Sequence, residues 1–216
     1  MVEDLNIDQM KTRYLRAGQP SAVVETAAWL RRGLPVVFPT DTVYGVGVMP
    51  FDETAIERLY ALKGRPASKG IPILLADAAD LATVARAIPP TAQTLIERFW
   101  PGPLTLIVPR MPGLPDAISP NDTIAVRIPD HELTRALIRE AGGAVATSSA
   151  NLTDQEPART GEAALVTLNG LVAVVIDDGP APGARPSTIV DCTTPRPVVL
   201  REGPLSAADL RPGIFS

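Results

Sequence analysis

Short apolar runs alternate with helix-like segments along almost the whole chain, and this alternation limits the fold more than any other feature. The runs, such as LVAVVI, are about as long as a strand and too short to cross a bilayer. The 23 prolines and 16 glycines are spread between them, so they separate elements rather than mark a disordered tract. The pattern predicts an α/β fold (α+β, mixed sheet), with helices in layers around one twisted sheet.

Helices are predicted where apolar residues recur at helical spacing between a capping residue and a glycine. They span residues 21–32, 52–64, 77–88, 91–100, 131–143 and 162–170. Strands are predicted at residues 35–39, 71–76, 104–109, 123–129, 144–147, 172–177, 187–192 and 197–202. No repeat or long linker divides the chain. We therefore expect one domain over residues 21–212, preceded by an N-terminal extension over residues 1–20.

Charge and composition exclude several classes of protein. The net charge of −4 argues against a protein that coats nucleic acid, so an anionic ligand requires a local cluster of cations. One cysteine, Cys192, excludes an internal disulfide framework, and one histidine, His131, leaves too few ligands for a zinc site. The N-terminal residues lack the apolar stretch of a signal peptide. These features predict a cytoplasmic protein without membrane contact.

Common catalytic and phosphate-binding motifs are missing from the sequence. There is no G-x-x-x-x-G-K-[ST] loop, no G-x-G-x-x-G fingerprint and no G-x-S-x-G elbow. A single histidine cannot fill the several roles of a triad or a metal site. The chemistry must therefore come from other polar segments, of which four stand out.

The first polar segment, PTDTVYGVG at residues 39–47, follows a predicted buried strand. Ligand sites favour the carboxyl ends of strands in open sheets, and the two glycines would let a substrate approach the backbone. A strand–turn–strand with a threonine-rich turn explains the same residues without a ligand.

The second segment, residues 63–70, places Lys63, Arg65 and Lys69 within seven positions. Glycines and a proline interrupt the helix there, which predicts a shaped, partly exposed loop. Three converging cations suit a triphosphate, because negative charge grows on the leaving pyrophosphate during attack. A basic helix end that interacts with the helix dipole is the alternative.

The third segment, ATSSANLT at residues 146–153, is a run of hydroxyls and an amide after a predicted strand. Such residues can bind phosphate or ribose, or can cap a turn. The fourth pairs PSTIVD at residues 186–191 with REGP at residues 201–204. Arg127 lies in an apolar strand, where it requires an anionic partner, either another residue or a bound ligand.

Together, these segments resemble a known family in their order and spacing. Lys63-Gly64-Arg65 and Ser149-Ala150-Asn151 match the K-x-R…S-x-N signature of the YrdC-like family of threonylcarbamoyl-AMP synthases. The other matches are PTDTVYG (39–45), the RP after K-x-R (65–66), FWPGPLT (99–105), AVRIPDH (125–131), STIVD (187–191) and LREG (200–203). The resemblance runs from about residue 23 to residue 204.

The resemblance implies a YrdC-like three-layer fold with a twisted mixed sheet and a large cavity for ATP and L-threonine. Lys63 and Arg65 would be the catalytic charge stabilisers. The implied ATP-binding residues are Lys63, Arg65, Lys69, Thr123, Ser149, Asn151 and Arg201. The implied L-threonine-binding residues are Thr42, Arg127, Thr147 and Ser187. Arg127 would pair with the carboxylate of threonine.

The activity that the resemblance implies is that of a nucleotidyltransferase. It would make threonylcarbamoyl-AMP and pyrophosphate from L-threonine, bicarbonate and ATP, for threonylcarbamoyladenosine modification of tRNA. Mg²⁺ would arrive with ATP, without ligands from protein side chains. The implied partners are downstream transfer proteins, with weak or no direct contact with tRNA.

Two alternative functions stay open. One is an RNA-binding or ribosome-assembly module on the same fold, against which the net charge argues. The other is a carbamoyl-adenylate enzyme that acts on a different acceptor. Those relatives usually carry further fused domains.

The sequence departs from the family pattern in three places. Longer members carry an extra C-terminal domain, and a short form without it is expected here. Some members have a histidine near the position of Leu74. After Asn151, the family's L-S-G-x-P-S-P-T is replaced by LTDQEPA at residues 152–158, which leaves contacts around Pro157 unassigned.

Overall fold

The structure, a computed structural model, describes residues 11–64, 69–153, 155–183 and 185–214, without the side chains of residues 211–214. Its strands are β1 (Arg13–Arg16), β2 (Val36–Phe38), β3 (Gly45–Val48), β4 (Ile73–Leu75), β5 (Leu104–Pro109), β6 (Thr123–Arg127), β7 (Ala144–Ser149), β8 (Val174–Asp177), β9 (Thr188–Asp191) and β10 (Val198–Arg201). Its α-helices are α1 (Ala22–Arg31), α2 (Glu53–Lys63), α3 (Leu81–Val84), α4 (Pro90–Phe99), α5 (Glu132–Ala141), α6 (Gly161–Leu168) and α7 (Ala207–Ile214). Over this described part of the chain, no helix has the length and apolarity needed to span a membrane.

All these strands join one mixed sheet in the order β1-β8-β2-β3-β7-β4-β6-β5-β9-β10. Helices α1 and α5 pack on one face, and α2, α3, α4, α6 and α7 pack on the other. Adjacent residues of a strand enter different apolar clusters, as Val36 and Phe38 lie in one and Val37 in the other. Burial on both faces explains the continuous apolar runs, and the predicted mixed α/β fold is confirmed.

One strand was not predicted from the sequence, and a second was predicted only in the strand–turn–strand alternative for residues 39–47. Strand β1 pairs in parallel with β8, and it lies within residues 1–20, which we predicted to be an extension before the domain. The sheet therefore reaches into that segment. Strand β3 pairs with β2 and β7 through GVGV, a run of small residues.

One predicted helix is wrong in its length. Residues 77–88 form a 3₁₀ turn (Ala78–Asp80) and the short helix α3 rather than one long helix. Ala85 is already extended, with φ −113° and ψ 128°, because it pairs with Arg110 in an antiparallel bridge. Pairing to another segment thus ends the helix before Pro89.

The glycines of β3 serve packing as well as the site. A Cβ at Gly47 would lie 2.6 Å from Val145 Cγ1 and 2.8 Å from Phe38 Cε1. A side chain at Gly47 would therefore displace the Phe38 ring, which is fully buried. The missing side chain of Gly47 therefore leaves space for the Phe38 ring of the core. The sequence-based interpretation assigned that space to a substrate.

Candidate functional site

A cavity of about 370 Å³ lies against the middle of the sheet, within the usual size range of small-molecule sites. Seven predicted site residues line it: Thr42, Thr123, Arg127, Thr147, Ser149, Ser187 and Arg201. As far as the structure describes this lining, it holds two arginines and many hydroxyls but no carboxylate. The cavity is thus suited to anions, although the whole chain carries a net negative charge.

Arg127, at the end of β6, is only 5% exposed. Its Nη2 pairs with Asp41 Oδ1, its Nη1 donates to Thr42 Oγ1 at 3.0 Å, and its Nε donates to the Gly102 carbonyl at 2.9 Å. Burial lowers the pKa of Arg127, and the Asp41 carboxylate acts in the opposite direction. The sequence left open whether the partner of Arg127 is internal or bound, and Asp41 is an internal one.

An internal partner does not use all of the hydrogen-bonding capacity of Arg127. A guanidinium has five N–H groups, and the three contacts to Asp41, Thr42 and Gly102 use three of them. The remaining N–H groups can serve a carboxylate in the cavity that Arg127 lines.

Asp41 is a site residue that the sequence reasoning missed. Its side chain is 10% exposed, and its Oδ2 is buried without a hydrogen-bond partner among the described residues. The sequence did indicate that Arg127 has an anionic partner, because an arginine in an apolar strand requires one. The sequence could not identify that carboxylate, since 86 positions separate the two residues.

Thr40 and Thr42 form the floor of the cavity beside Arg127. Both are nearly fully buried, at 3% and 2% exposed, and both line the cavity. The Thr40 hydroxyl lies 2.6 Å from the Val43 carbonyl and 2.9 Å from the Thr42 hydroxyl. It also accepts the backbone N–H groups of Thr42 and Val43 at 3.1 and 3.2 Å. The Thr40 hydroxyl therefore organises the turn that carries Asp41.

The loop between β8 and β9 packs against the turn that carries Asp41. A Cβ at Gly183 would lie 2.6 Å from both Thr42 Cα and Thr42 O. Tyr44 fastens the start of this loop, because its hydroxyl lies 2.8 Å from Asp177 Oδ1 and 2.7 Å from the Gly179 carbonyl. Burial raises the pKa of Tyr44. The hydroxyl thus stays protonated and structural.

Ser187 and Arg201 form the opposite wall. Arg201 donates from Nε and Nη2 to the Ser187 carbonyl at 3.0 and 2.8 Å. The Ser187 hydroxyl lies 2.7 Å from the Thr105 hydroxyl. Thr105 ends the FWPGPLT match and lines the cavity, but it was not predicted as a site residue. These contacts bring Ser187, predicted for threonine, beside Arg201, predicted for ATP.

Half of the hydroxyl run at residues 146–153, with three of its four hydroxyl side chains, lies within the sheet rather than after it. Strand β7 continues to Ser149, two residues beyond the predicted end, because Gly45 and Gly47 of β3 pair with Ser149 and Thr147. The strand geometry turns Thr147 and Ser149 to the same side. Both therefore line the cavity.

The prediction of a shaped, partly exposed loop is wrong for Lys63. It is the last residue of α2 and only 5% exposed. Its ammonium donates to the carbonyl oxygens of Ser149 (2.7 Å) and Asn151 and to Asn151 Oδ1 (3.0 Å). The two halves of the K-x-R…S-x-N signature thus contact each other, and Lys63 holds the Ser149–Asn151 segment beside the cavity.

Of the other two cations in the 63–70 segment, the structure describes Lys69 but not Arg65. Lys69 is exposed and does not line the described cavity, and its carbonyl accepts the Tyr60 hydroxyl at 3.1 Å. Arg65 lies outside the described residues, so its predicted role stays a prediction. Asn151 is buried, and its Nδ2 donates to the carbonyls of Leu152 and Gln155, both at 2.8 Å.

We expect Lys63→Met to destabilise the fold by about 3 kcal/mol, because buried acceptors would lose their donor. The measurement is the free energy of unfolding in urea without ligands. Lys11→Met removes an exposed ammonium and is the matched control, for which little change is expected. Equal stability of the two variants would contradict a structural role for Lys63.

Comparisons with known proteins agree with this geometry. The family model Sua5_yciO_yrdC, described as "Telomere recombination", matches residues 28–203. A protein of Bacillus subtilis named threonylcarbamoyl-AMP synthase is 40% identical over 186 residues, which cover 84% of this chain and 53% of that protein. A protein of Thiobacillus denitrificans with the same name is 38% identical over 171 residues, which cover 77% of this chain and 89% of that protein.

Solved structures show the same fold. The crystal structure of Pyrococcus abyssi Sua5 complexed with L-threonine superposes with a TM-score of 0.89 at 34% identity, covering 94% of this chain and 61% of that chain. Escherichia coli YciO superposes with a TM-score of 0.82 at 25% identity, covering 93% of this chain and 99% of that chain. The chain thus spans little more than half the length of some relatives and nearly all of others.

Proposed function

We propose that this chain, which belongs to the Sua5/YciO/YrdC family, converts L-threonine, bicarbonate and ATP into threonylcarbamoyl-AMP and pyrophosphate. The enzyme would be a nucleotidyltransferase whose product serves threonylcarbamoyladenosine modification of tRNA. One observation carries the proposal: the described cavity lining combines two arginines with hydroxyls and contains no carboxylate. All three proposed substrates carry negative charge on a carboxylate, a bicarbonate or a phosphate.

The chemistry needs positioning rather than a protein nucleophile. The amine of threonine captures bicarbonate with loss of water, or carbon dioxide with loss of a proton, to give a carbamate. A carbamate oxygen then attacks the α-phosphorus of ATP. The bond from that phosphorus to the bridging oxygen breaks, and pyrophosphate leaves. The work of the site is to gather mutually repelling anions and to neutralise charge as it grows.

Each wall of the cavity has its own part in this scheme. Arg127 would bind the carboxylate of threonine, with Thr42, Thr147 and Ser187 around the rest of the amino acid. Thr123, Ser149 and Arg201, together with Arg65 and Lys69, would bind ATP. Lys63 and Asn151 would position Ser149 rather than contact phosphate, because the ammonium of Lys63 already has protein acceptors.

Mg²⁺ would enter as a counter-ion of the ATP phosphates. No group of three or more Asp, Glu, His or Cys side chains that could hold a metal ion occurs in the described part of the chain. The described lining supplies hydroxyls but no carboxylate, which fits an ion held by phosphates and water. Its chemistry would be charge neutralisation on the triphosphate.

The partners in this proposal are downstream transfer proteins in the cytoplasm, with weak or no direct contact with tRNA. No specific observation favours an RNA-binding module or a carbamoyl-adenylate enzyme with another acceptor. The net charge of −4 also argues against a broad electrostatic surface for RNA.

Pyrophosphate release tests the proposal directly. We expect release from ATP only when threonine and bicarbonate are both present, because the attacking carbamate contains atoms of both. The assay supplies each substrate singly and together, in buffer depleted of carbon dioxide. Release at the full rate with ATP alone, or with ATP and threonine in the depleted buffer, would remove this function.

A further inference from the structure

A chain of four groups runs through the floor of the cavity. Arg127 Nη1 lies 3.0 Å from Thr42 Oγ1, Thr42 Oγ1 lies 2.9 Å from Thr40 Oγ1, and Thr40 Oγ1 lies 2.6 Å from the Val43 carbonyl. Each hydroxyl has one proton to donate and two lone pairs that accept. The direction of every hydrogen bond in the chain can therefore be worked out.

The two ends of the chain fix its direction. The Val43 carbonyl can only accept, so the Thr40 hydroxyl uses its single proton there. Thr40 then has no proton for Thr42, so in the hydrogen bond between the two hydroxyls Thr42 is the donor. It shares the lone pairs of Thr40 Oγ1 with the longer contacts from the backbone N–H groups of Thr42 and Val43. Arg127 can only donate, so it occupies one lone pair of Thr42 Oγ1. All donors point the same way, an arrangement in which neighbouring hydrogen bonds strengthen one another.

This direction decides what Thr42 can offer to a ligand. Its proton is committed to Thr40 and one lone pair is committed to Arg127, so the described contacts leave one lone pair. Thr42 lines the cavity. It therefore presents an acceptor to the ligand, although a threonine hydroxyl in general could donate or accept.

We propose that Thr40 is a specificity-determining residue that acts through Thr42, by holding the Thr42 proton and so making Thr42 Oγ1 an acceptor for an N–H or O–H group of the amino-acid substrate. The inference rests on the proposed function, because it takes the ligand beside Arg127 to be L-threonine. Thr40 is a positioning residue in this scheme.

A second role of Thr40 must be separated from this one. Its hydroxyl also accepts the backbone N–H groups of Thr42 and Val43, so Thr40→Val loosens the turn as well. Thr134→Val is a matched control. The buried Thr134 hydroxyl donates to the Pro39 carbonyl at 2.5 Å, so its loss loosens the neighbouring backbone without touching the chain of donors.

The test measures the affinity for L-threonine by calorimetry in a double-mutant cycle. Thr40→Val and Thr42→Val should each weaken binding about tenfold, the usual effect of one hydrogen bond. The double variant should bind no more weakly than Thr42→Val alone, because Thr40 acts only through Thr42. Thr40→Ser, which keeps the hydroxyl, should bind nearly as the unmodified protein does, and so should Thr134→Val.

Three results would overturn the inference. They are unchanged affinity in Thr40→Val, losses that multiply in the double variant, and an equal loss in Thr134→Val. If Thr40→Val does not fold, Thr40→Ala takes its place in the double-mutant cycle. Additive losses of binding free energy in that cycle also overturn the inference. If the unmodified protein does not bind threonine at all, the proposed function fails with it. If the protein binds threonine and the cycle is additive, only the role of Thr40 fails.

Discussion

Asp41→Ala is expected to lower the free energy of unfolding by about 3–5 kcal/mol, because it leaves the guanidinium of Arg127 buried without its counter-charge. The two side chains are only 10% and 6% exposed, so water compensates only in part for the lost carboxylate. Burial already lowers the pKa of Arg127, and Asp41 is the neighbour that opposes this effect. The measurement is unfolding in urea at neutral pH without ligands.

An exposed ion pair of the same chain is the control for this prediction. Arg110 Nη2 lies 2.9 Å from Asp116 Oδ1, but the Asp116 side chain is 95% exposed. Asp116→Ala should cost less than about 1 kcal/mol. If Asp41→Ala costs no more than that, the buried pair does not hold the fold. The double change of Asp41→Asn and Arg127→Met should recover much of the loss, because it leaves no unpaired charge.

This ion pair also changes how Arg127 has to be tested as a ligand residue. Arg127→Ala removes a contact to the substrate and at the same time leaves Asp41 buried and unpaired. A loss of threonine binding after that change therefore has two causes. The stability of the same variant without ligand separates them, since only the loss of the ion pair lowers it.

The sequence predicts the central strands of the fold because both of their faces are buried. β2 and β8 are apolar at nearly every position, and such runs indicate strands without reference to the rest of the molecule. β1 has the sequence RYLR and lies at one edge of the sheet. Its pairing with β8 depends on a segment about 160 positions away, which local patterns do not contain.

For the site, too, the local sequence predicts some features, and contacts between distant segments determine the others. Motif positions identify Thr42, Arg127, Thr147 and Ser187, and the structure places all four around one cavity. What each one contacts could not be predicted, because the contacts join segments far apart in sequence. Arg127 meets Asp41 across 86 positions, and Lys63 meets Asn151 across 88. The sequence therefore suggests which residues matter, and the fold determines what they do.

Two buried hydroxyls of the cavity, those of Thr42 and Thr147, present acceptors to a ligand. The Thr42 proton is committed to Thr40, and the Thr147 hydroxyl donates to the Val145 carbonyl at 3.2 Å. Both residues are buried, at 2% and 8% exposed. A ligand that offers an O–H group can satisfy these acceptors, whereas a methyl group in the same place would leave a buried polar atom without a partner.

We expect this pocket to reject L-valine strongly and L-serine only weakly. Valine has a methyl group in place of the hydroxyl of threonine, so the polar groups around it stay unpaired, and its kcat/KM should fall on the order of 10⁴-fold. Serine keeps the hydroxyl and loses only a methyl group, which should cost about 10–200-fold. The measurement is kcat/KM for the three amino acids at saturating ATP and bicarbonate, followed by pyrophosphate release.

Serine is the internal control of this comparison, because it tests the size of the pocket without changing its hydrogen bonds. A small residual activity with serine is thus a property of the site and should scale with enzyme concentration. If valine performs as well as serine, the pocket does not recognise the hydroxyl, and the assignment of Thr42, Thr147 and Ser187 to threonine is wrong. If serine is rejected as strongly as valine, the pocket selects by shape, because the methyl group then contributes as much as the hydroxyl.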